Sequence, residues 1–544
     1  MACPVLTYPD PTAVDLRCLN DTRSIWLWEG WFEPDSVMEF LIFQRIFAVY
    51  GLVLLLSSLA GCYAIPSSRT YKCLHHLLSS TSLPWPYHTI HLPLPIPQIF
   101  KLIDHTILNF ANCRLGKACN LYARAQELLA ERKGRLVWLD AFRVFGMVWV
   151  FGNHLGSEGR IDILERLPKA KAYKDAIHNH LLVGAFFGNS ALGVEIFLCL
   201  SSLLSVGSFA RIAQTYRTVS GWVVYITRRS LRLWLAVLCF LIIAVSPQLR
   251  ALLPRFYATM ATACGWKGVL AHLTFTANYQ REPTCFGYLW YLGMDAQLHL
   301  FFVPLLVTGL LDRGWRFRTQ LAIGALVVGS MIWRAVVCLS FGKCHMSDVD
   351  IPFIHVASLS GDEMRGMYHG LWYKYGGVRT KMGPFLMATI VGFWEQQGVK
   401  ISIRKSRALF WGGLIGAVVV TYAILPQYWY PSMPSSHPYN YLYTATFRTA
   451  FAACLLSMIC SFILLERPPK CPHWISVGAK LCFSAYLCHM PCAYVFNYWN
   501  SFQEIESALP LLFPFWPLHT ILSFGVAFLF YITVEGPMTQ LARH

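Results

Sequence analysis

The chain has 544 residues, of which 56% are hydrophobic and only 13% charged, whereas a soluble protein of this size carries about a quarter charged residues. Its apolar residues come in repeated runs long enough to cross a bilayer as helices, so it reads as an all-α, polytopic membrane protein; the period-two alternation of a β-barrel is absent. The net charge of +17 does not point to nucleic acid, because Lys and Arg gather in short loops at helix ends as the positive-inside rule requires, leaving anionic lipid headgroups and an anionic cytosolic ligand as partners.

Residues 1–37 form a polar segment containing Asp10, Asp15, Asp21, Glu29, Glu33 and Asp35. The sequon Asn20-Asp21-Thr22 and the acidic character place it outside the cytosol. No cleavable signal peptide is visible, since the first apolar run begins too late. That run, 38–64, is the first expected span. Residues 65–135 form a cytosolic linker with Pro84, Pro86, Pro93, Pro95 and Pro97, whose end from Phe100 to Arg135 reads as an amphipathic helix lying on the membrane surface.

Ten further spans are expected, at 136–155, 181–207, 222–246, 288–310, 319–341, 383–399, 408–426, 446–465, 476–498 and 513–534, for a count of about eleven. With this count the basic clusters after spans one, three, five, seven and nine fall on one side, and the C-terminus ends there too. The N-terminus is then lumenal or extracellular, in the endoplasmic reticulum or the plasma membrane. No internal repeat marks the chain as an inverted-repeat transporter.

Most of the 18 cysteines, among them Cys199, Cys239, Cys454, Cys460 and Cys482, sit in apolar runs and read as small buried hydrophobes. Cys3, Cys18, Cys264, Cys285 and Cys344 fall in non-cytosolic loops, where disulfides form but their pairing is not readable. Cys73, Cys113 and Cys119 lie in the cytosolic linker, where thiols stay reduced. No CxxC or His/Cys spacing points to a metal site.

The stretch GRLVWLDAFRVFGMVWVFGNHLG, from Gly134 to Gly156, carries Asp140, Arg143 and His154 inside a span. Arg143 and His154 are eleven residues apart, almost three helical turns, so both leave one face about 16 Å apart along the axis. An Arg at the centre of a span costs at least ~2.5 kcal/mol. Either the Arg snorkels and the His is a satisfied core residue, or both are kept for chemistry. Glu195, Asp295, His299, Arg334, Glu395, Arg448, His489 and Glu535 are the other ionisable residues inside spans, some of which must pair merely to survive in hydrocarbon. Asp295 and His299 share a face at i and i+4, an orienter-and-base spacing or a structural ion pair. Arg228, Arg229 and Arg232 open the fourth span at its cytosolic mouth, either as ordinary positive-inside charge or, with Arg143, as a holder for a polyanionic group. With no P-loop or nucleophile signature, acid–base chemistry is favoured over covalent chemistry.

Six segments in order resemble the motifs of the membrane acyltransferase type 3 family. Leu139-Asp140-Ala141-Phe142-Arg143 with Asn153-His154 resembles its Arg-x10-His motif. GVEIFLCLSSLL (193–204), YITRRSLRLW (225–234), CFGYLWYLGMDAQLHLFFVPLLV (285–307), WYKYGGVRTKMGPFLMATIVG (372–392) and FSAYLCHMPCAYVF (483–496) are similar to its later segments. The Asp-x-Gln form of the fifth span and the extra first span resemble the animal nose-resistant-to-fluoxetine branch. Ser201-Ser202 stands where the family has Ser-Gly, and Asn153 where Gly commonly precedes the His. The resemblance covers 136–540, the expected acyltransferase domain.

The resemblance implies transfer of an acyl group from acyl-CoA, the expected donor, to a hydroxyl of a lipid or glycan acceptor at the far membrane face, with no bound cofactor. On this reading Arg143, Arg228, Arg229 and Arg232 hold the CoA portion from the cytosolic side. His154, assisted by Asp295, takes the acceptor proton. The rival is a lipid or small-molecule transporter, or a non-catalytic membrane protein of the same family.

Overall fold

In a computed structural model, residues 48–58, 114–156, 183–279, 285–340 and 377–542 are described, apart from a few isolated positions. The polar N-terminal segment, the Pro-rich stretch before 114 and residues 157–179, 280–284 and 341–376 lie outside the described residues. So do Cys3, Cys18, Cys73, Cys113 and Cys344.

The described residues fold as helices; an isolated bridge between Ile401 and Leu465 is the sole extended pairing among them. In chain order the main helices are α1 (Ala48–Ser58), α2 (Arg114–Ala118), α3 (Leu121–Leu129), α4 (Trp138–Gly156), α5 (Val183–Gly188), α6 (Leu192–Thr215), α7 (Thr218–Ala244), α8 (Trp266–Leu273), α9 (Trp290–Phe301), α10 (Val303–Leu311), α11 (Arg316–Ser340), α12 (Val378–Gln396), α13 (Ile403–Tyr422), α14 (Pro438–Ile463), α15 (His473–Phe496), α16 (Trp516–Phe530) and α17 (Gly536–Ala542). The chain is an all-α, multi-pass membrane protein. Among the described residues, six stretches are long and apolar enough to cross a membrane: α6, α9 with α10, α11, α13 with its extension to Gln427, α14, and the Leu511–Ala542 stretch holding α16 and α17. α4, α7, α12 and α15 are 19, 27, 19 and 24 residues long but interrupt their apolar runs with charged or polar side chains. The expected count of eleven spans is therefore not confirmed.

Two expected spans are broken, each for a local reason. The third splits into α5 and α6 around Asn189, whose side-chain amide donates to the Thr421 carbonyl and the Tyr443 hydroxyl at 2.7 and 2.8 Å. The fifth breaks at Phe302, because Pro304 lacks the N–H the helix needs.

Of the surface helix expected from Phe100 to Arg135, residues 100–113 lie outside the described residues, and the described part holds two short helices. Asn120 separates them and caps α3 by accepting from the Ala123 amide at 3.0 Å. At its other end α3 is held on the bundle by Lys480 of α15, which donates to the Glu127, Leu128 and Ala130 carbonyls. A cation there satisfies the orphan carbonyls and complements the helix dipole. Leu128 is fully buried, so α3 packs on protein, and Tyr50 of α1 reaches the Thr533 carbonyl beside it.

The core forms where helices close tightly. α6 packs along α12 and α4, α13 along α14, and α4 along α15. Gly392 on α12 lets the α6 backbone approach: a Cβ there would lie 2.7 Å from the Leu203 carbonyl oxygen. Outside the long helices, Cys264 and Cys285 form a disulfide; Cys338, near the end of α11, is also disulfide-bonded. His272 of α8 is buried against that clip and donates to the Cys285 carbonyl at 2.7 Å.

Candidate active site

α4 presents Arg143 and His154 to the bundle interior from opposite ends. Arg143 is not a lone buried charge: its guanidinium is 3.6 Å from Asp140, one turn earlier, and is partly exposed. Asp140 is itself buried and also accepts from Arg132 and from Ser476 of α15, each at 3.0 Å. In the first turn of α4 an acid is further favoured by the helix dipole. His154, half-buried, packs its ring edge-to-face on His489 of α15, centroids 4.7 Å apart.

His489 is fully buried, and its Nδ1 lies 2.7 Å from the Tyr486 carbonyl. A carbonyl only accepts, so Nδ1 carries the hydrogen and Nε2 of the neutral ring carries the lone pair. Phe151 stacks on His489, Tyr288 meets it edge-on at 5.3 Å, and His519 donates from Nε2 to the His489 carbonyl. His489 thus lies in an apolar, aromatic cage, with half-buried His154 at its edge.

Asp295 sits elsewhere. It is buried on α9, and its partners are Arg229 of α7, Ser201 of α6 and its own helix neighbours, not His154. Arg229 forms an ion pair with Oδ2, and Ser201 Oγ donates to Oδ1 at 2.7 Å. Arg229 also donates to Ser201 Oγ at 2.9 Å, and Tyr291 OH lies 3.5 Å from Oδ1. The expected Asp295–His299 pairing takes an unexpected form. His299 Nδ1 donates to the Asp295 backbone carbonyl at 2.7 Å, while the carboxylate is 3.6 Å away. His299 Nε2, left as the acceptor, faces Ser201 Oγ at 3.4 Å. The carboxylate is committed to holding Arg229 and Ser201, so it orients rather than takes protons.

The two centres are joined by aromatic rings. Tyr291 of the Asp295 node lies 6.1 Å from Tyr486, which lies 6.0 Å from His489. Arg143 is within electrostatic range of Tyr291.

The three arginines of α7 do not act as one clamp. α7 starts at Thr218, so Arg229 is eleven residues, about 16 Å, along the helix rather than at its mouth. Arg229 turns inward to Asp295, Arg228 is exposed, and Arg232, also exposed, lies within electrostatic range of buried Glu535.

Sequence reading passed over Ser201 and Lys381. Ser201 was visible as the Ser of the Ser-Ser pair; its companion Ser202 bonds Thr389 of α12 at 2.8 Å. Lys381 reads as the end of a basic loop, but α12 begins at Val378 and buries it completely, against Glu195. Arg448 of α14 reaches the same Glu195 oxygen. Among the described residues no group of His, Cys, Asp and Glu has the geometry to hold a metal ion. An apolar groove of about 440 Å³ lies between α12, α13 and α14, lined by Val391, Trp394, Leu409 and Leu456, and touches none of the candidate residues.

Residues 136–532 match the family described as Acyltransferase domain, in its type 3 form. The chain belongs to this family. Membership supports a membrane acyltransferase-like function. The chain is 43% identical over 423 residues to Regulator of hypoxia-inducible factor 1 of Caenorhabditis elegans, covering 78% of this chain and 83% of that one. It is 22% identical over 469 residues to Nose resistant to fluoxetine protein 6 of the same organism, covering 78% of this chain but 53%, about half, of that relative. No solved structure matches.

Proposed function

We propose that this protein transfers an acyl group from acyl-CoA to a hydroxyl of a lipid or glycan acceptor, with the histidine pair of α4 and α15 at the reacting centre. His154 takes the hydroxyl proton as the oxygen attacks the thioester carbonyl. The C–S bond breaks, and the thiolate leaves to be protonated as free CoA. The observation that carries this reading is the 4.7 Å packing of His154 on His489, whose tautomer is fixed by the Tyr486 carbonyl. A half-buried imidazole packed on a buried one of fixed tautomer suits base catalysis better than a packing role, because apolar rings would fill the same cage at no desolvation cost.

The geometry revises the roles of the other candidates. Asp295 serves as a positioning residue that anchors Arg229, Ser201 and His299. Arg229 is committed to Asp295, so the proposal assigns Arg143, Arg228 and Arg232 to the CoA phosphates. The positive-inside pattern orients that end of α4 and α7 toward the cytosol and the His154 end toward the lumen or the exterior.

The test is release of free CoA thiol from acyl-CoA by purified protein. Loss of His154 to Ala is expected to slow it about 100-fold or more. Equal release by wild type and His154→Ala ends the catalytic reading. A wild type that releases no CoA favours a second reading, a regulator or transporter without chemistry, for which the first relative's name, Regulator of hypoxia-inducible factor 1, is the observation.

A further inference from the structure

The segment ahead of the family-matched region reaches into the candidate site. Arg132 precedes that region, which begins at residue 136, yet it bonds Asp140 in the first turn of α4. The chain around Arg132 is pinned on both sides. Before it, α3 is held by Lys480 and by buried Leu128. After it, Trp138 donates to the Pro469 carbonyl at 2.6 Å and stacks on Phe462 at 4.5 Å. Between them Gly134 turns the chain at φ +116°, in the region that favours glycine, and so folds Arg132 back onto α4.

Arg132 and Arg143 converge on a single atom. Arg132 Nη1 donates to Asp140 Oδ1 at 3.0 Å, and Arg143 Nη1 lies 3.6 Å from the same oxygen. Asp140 is buried, whereas the two arginine side chains are 42% and 22% exposed. A guanidinium carries five N–H donors in a planar fork. Arg132 gives one of them to Asp140, and Arg143, at ion-pair distance, gives it none within hydrogen-bond reach. Two partly exposed forks thus stand side by side, held together by one buried acid.

We propose that Arg132 and Arg143 together clamp the diphosphate of the acyl-CoA donor, one fork on each phosphate, with Asp140 setting their spacing. The inference rests on the acyl-transfer reading above and deepens its donor site. Adjacent phosphates share one bridging oxygen, as the two guanidinia share one carboxylate oxygen, so neighbouring forks meet neighbouring phosphates. Length selects the diphosphate over the ribose phosphate. His154 stands eleven residues along α4 from Arg143, about 16 Å. The pantetheine arm between diphosphate and sulfur has about twelve bonds, as many as about four residues of backbone, and spans about 14 Å when extended. With the thioester at His154, the group at Arg143 and Arg132 is therefore the diphosphate.

The experiment is thermal unfolding of the purified, detergent-solubilised full chain, titrated with CoA and with dephospho-CoA, which keeps the diphosphate and lacks the ribose phosphate. Arg132→Gln is expected to weaken both by about 10- to 100-fold, the range for a lost bidentate, charge-assisted contact. Arg132→Lys keeps the charge beside Asp140 but loses the fork, so its affinity should fall between, and it serves alone should Arg132→Gln not fold. The CoA-release assay separates this inference from the reading beneath it. A wild type that binds CoA through Arg132 and never releases CoA from acyl-CoA leaves the clamp standing and ends the acyl-transfer reading. A wild type that releases CoA while both Arg132 variants bind it as tightly overturns the clamp alone. A loss that spares dephospho-CoA assigns Arg132 to the ribose phosphate and also overturns the clamp, as does a wild type that binds neither compound.

Discussion

Asp295 and Glu195 are both carboxylates sunk into the helix bundle, and they are compensated in opposite ways. Asp295 faces one guanidinium, the Ser201 and Tyr291 hydroxyls and its own helix neighbour His299, so one cation stands against one acid in its node. Glu195 faces Lys381, Arg448 and Arg334, and both bonds it accepts fall on one oxygen. The first sets one cation against one acid, and the second gathers three cations from three helices around one acid. Burial of an acid thus does not by itself say whether a site is structural; the balance of partners around it does.

Removing the two acids separates these cases most strongly. Glu195→Ala leaves three buried cations with no carboxylate between them and is expected to cost about 3–5 kcal/mol, the cost of breaking a buried ion pair. In thermal unfolding it should be the most destabilised single variant of the bundle. Asp295→Ala is expected to cost less, about 1–3 kcal/mol, because it strands one cation where Glu195→Ala strands three. Equal losses for the two variants would sink the contrast drawn between the two nodes.

The contrast also explains what was legible beforehand. The α4 face carrying Arg143 and His154, and the α9 face carrying Asp295 and His299, follow from helical spacing alone, and both faces are present in the fold. Spacing does not say what a face meets. Asp295 lies at a depth that suits His154, yet α7 delivers Arg229 to it and α15 delivers His489 to His154; such partners belong to helices distant in sequence. Arg228 and Arg229 are adjacent letters with opposite fates because successive residues on a helix point about 100° apart. Lys381 was hidden by its neighbours: GGVRTK reads as loop until the helix start at Val378 is known. The bends at Asn189 and Phe302 were equally illegible, although Pro304 gave a signal for the second.

A packing change tests whether the two acids can be disturbed separately. Gly392→Ala places a methyl 2.7 Å from the Leu203 carbonyl and pushes α12 from α6. Overpacking of this kind costs about 1–3 kcal/mol. Since the clash falls on Leu203, two residues from Ser201 on α6, whereas Glu195 and Lys381 lie eight and eleven residues away along their helices, the damage should be non-additive with Asp295→Ala and closer to additive with Glu195→Ala. A double-mutant cycle measures this, and equal coupling to Glu195 would show that the two nodes move as one.

The smallest effect lies outside the spans and serves as the control, since it touches neither acid. His272 is buried beside the Cys264–Cys285 clip, and burial holds its pKa below the ordinary histidine value of 6.5. The folded state therefore keeps the ring neutral while the unfolded chain takes a proton as pH falls below about 6.5. Stability contributed by neutral His272 is full above that pH and is lost as pH falls toward the depressed folded value. Thermal unfolding from pH 7.5 to 5.5 should show a decline that is shallower in His272→Asn, which keeps a donor for the Cys285 carbonyl and does not titrate. The same difference should persist in the Glu195→Ala and Asp295→Ala backgrounds, because a neutral group on a loop helix has no charge to exchange with either node.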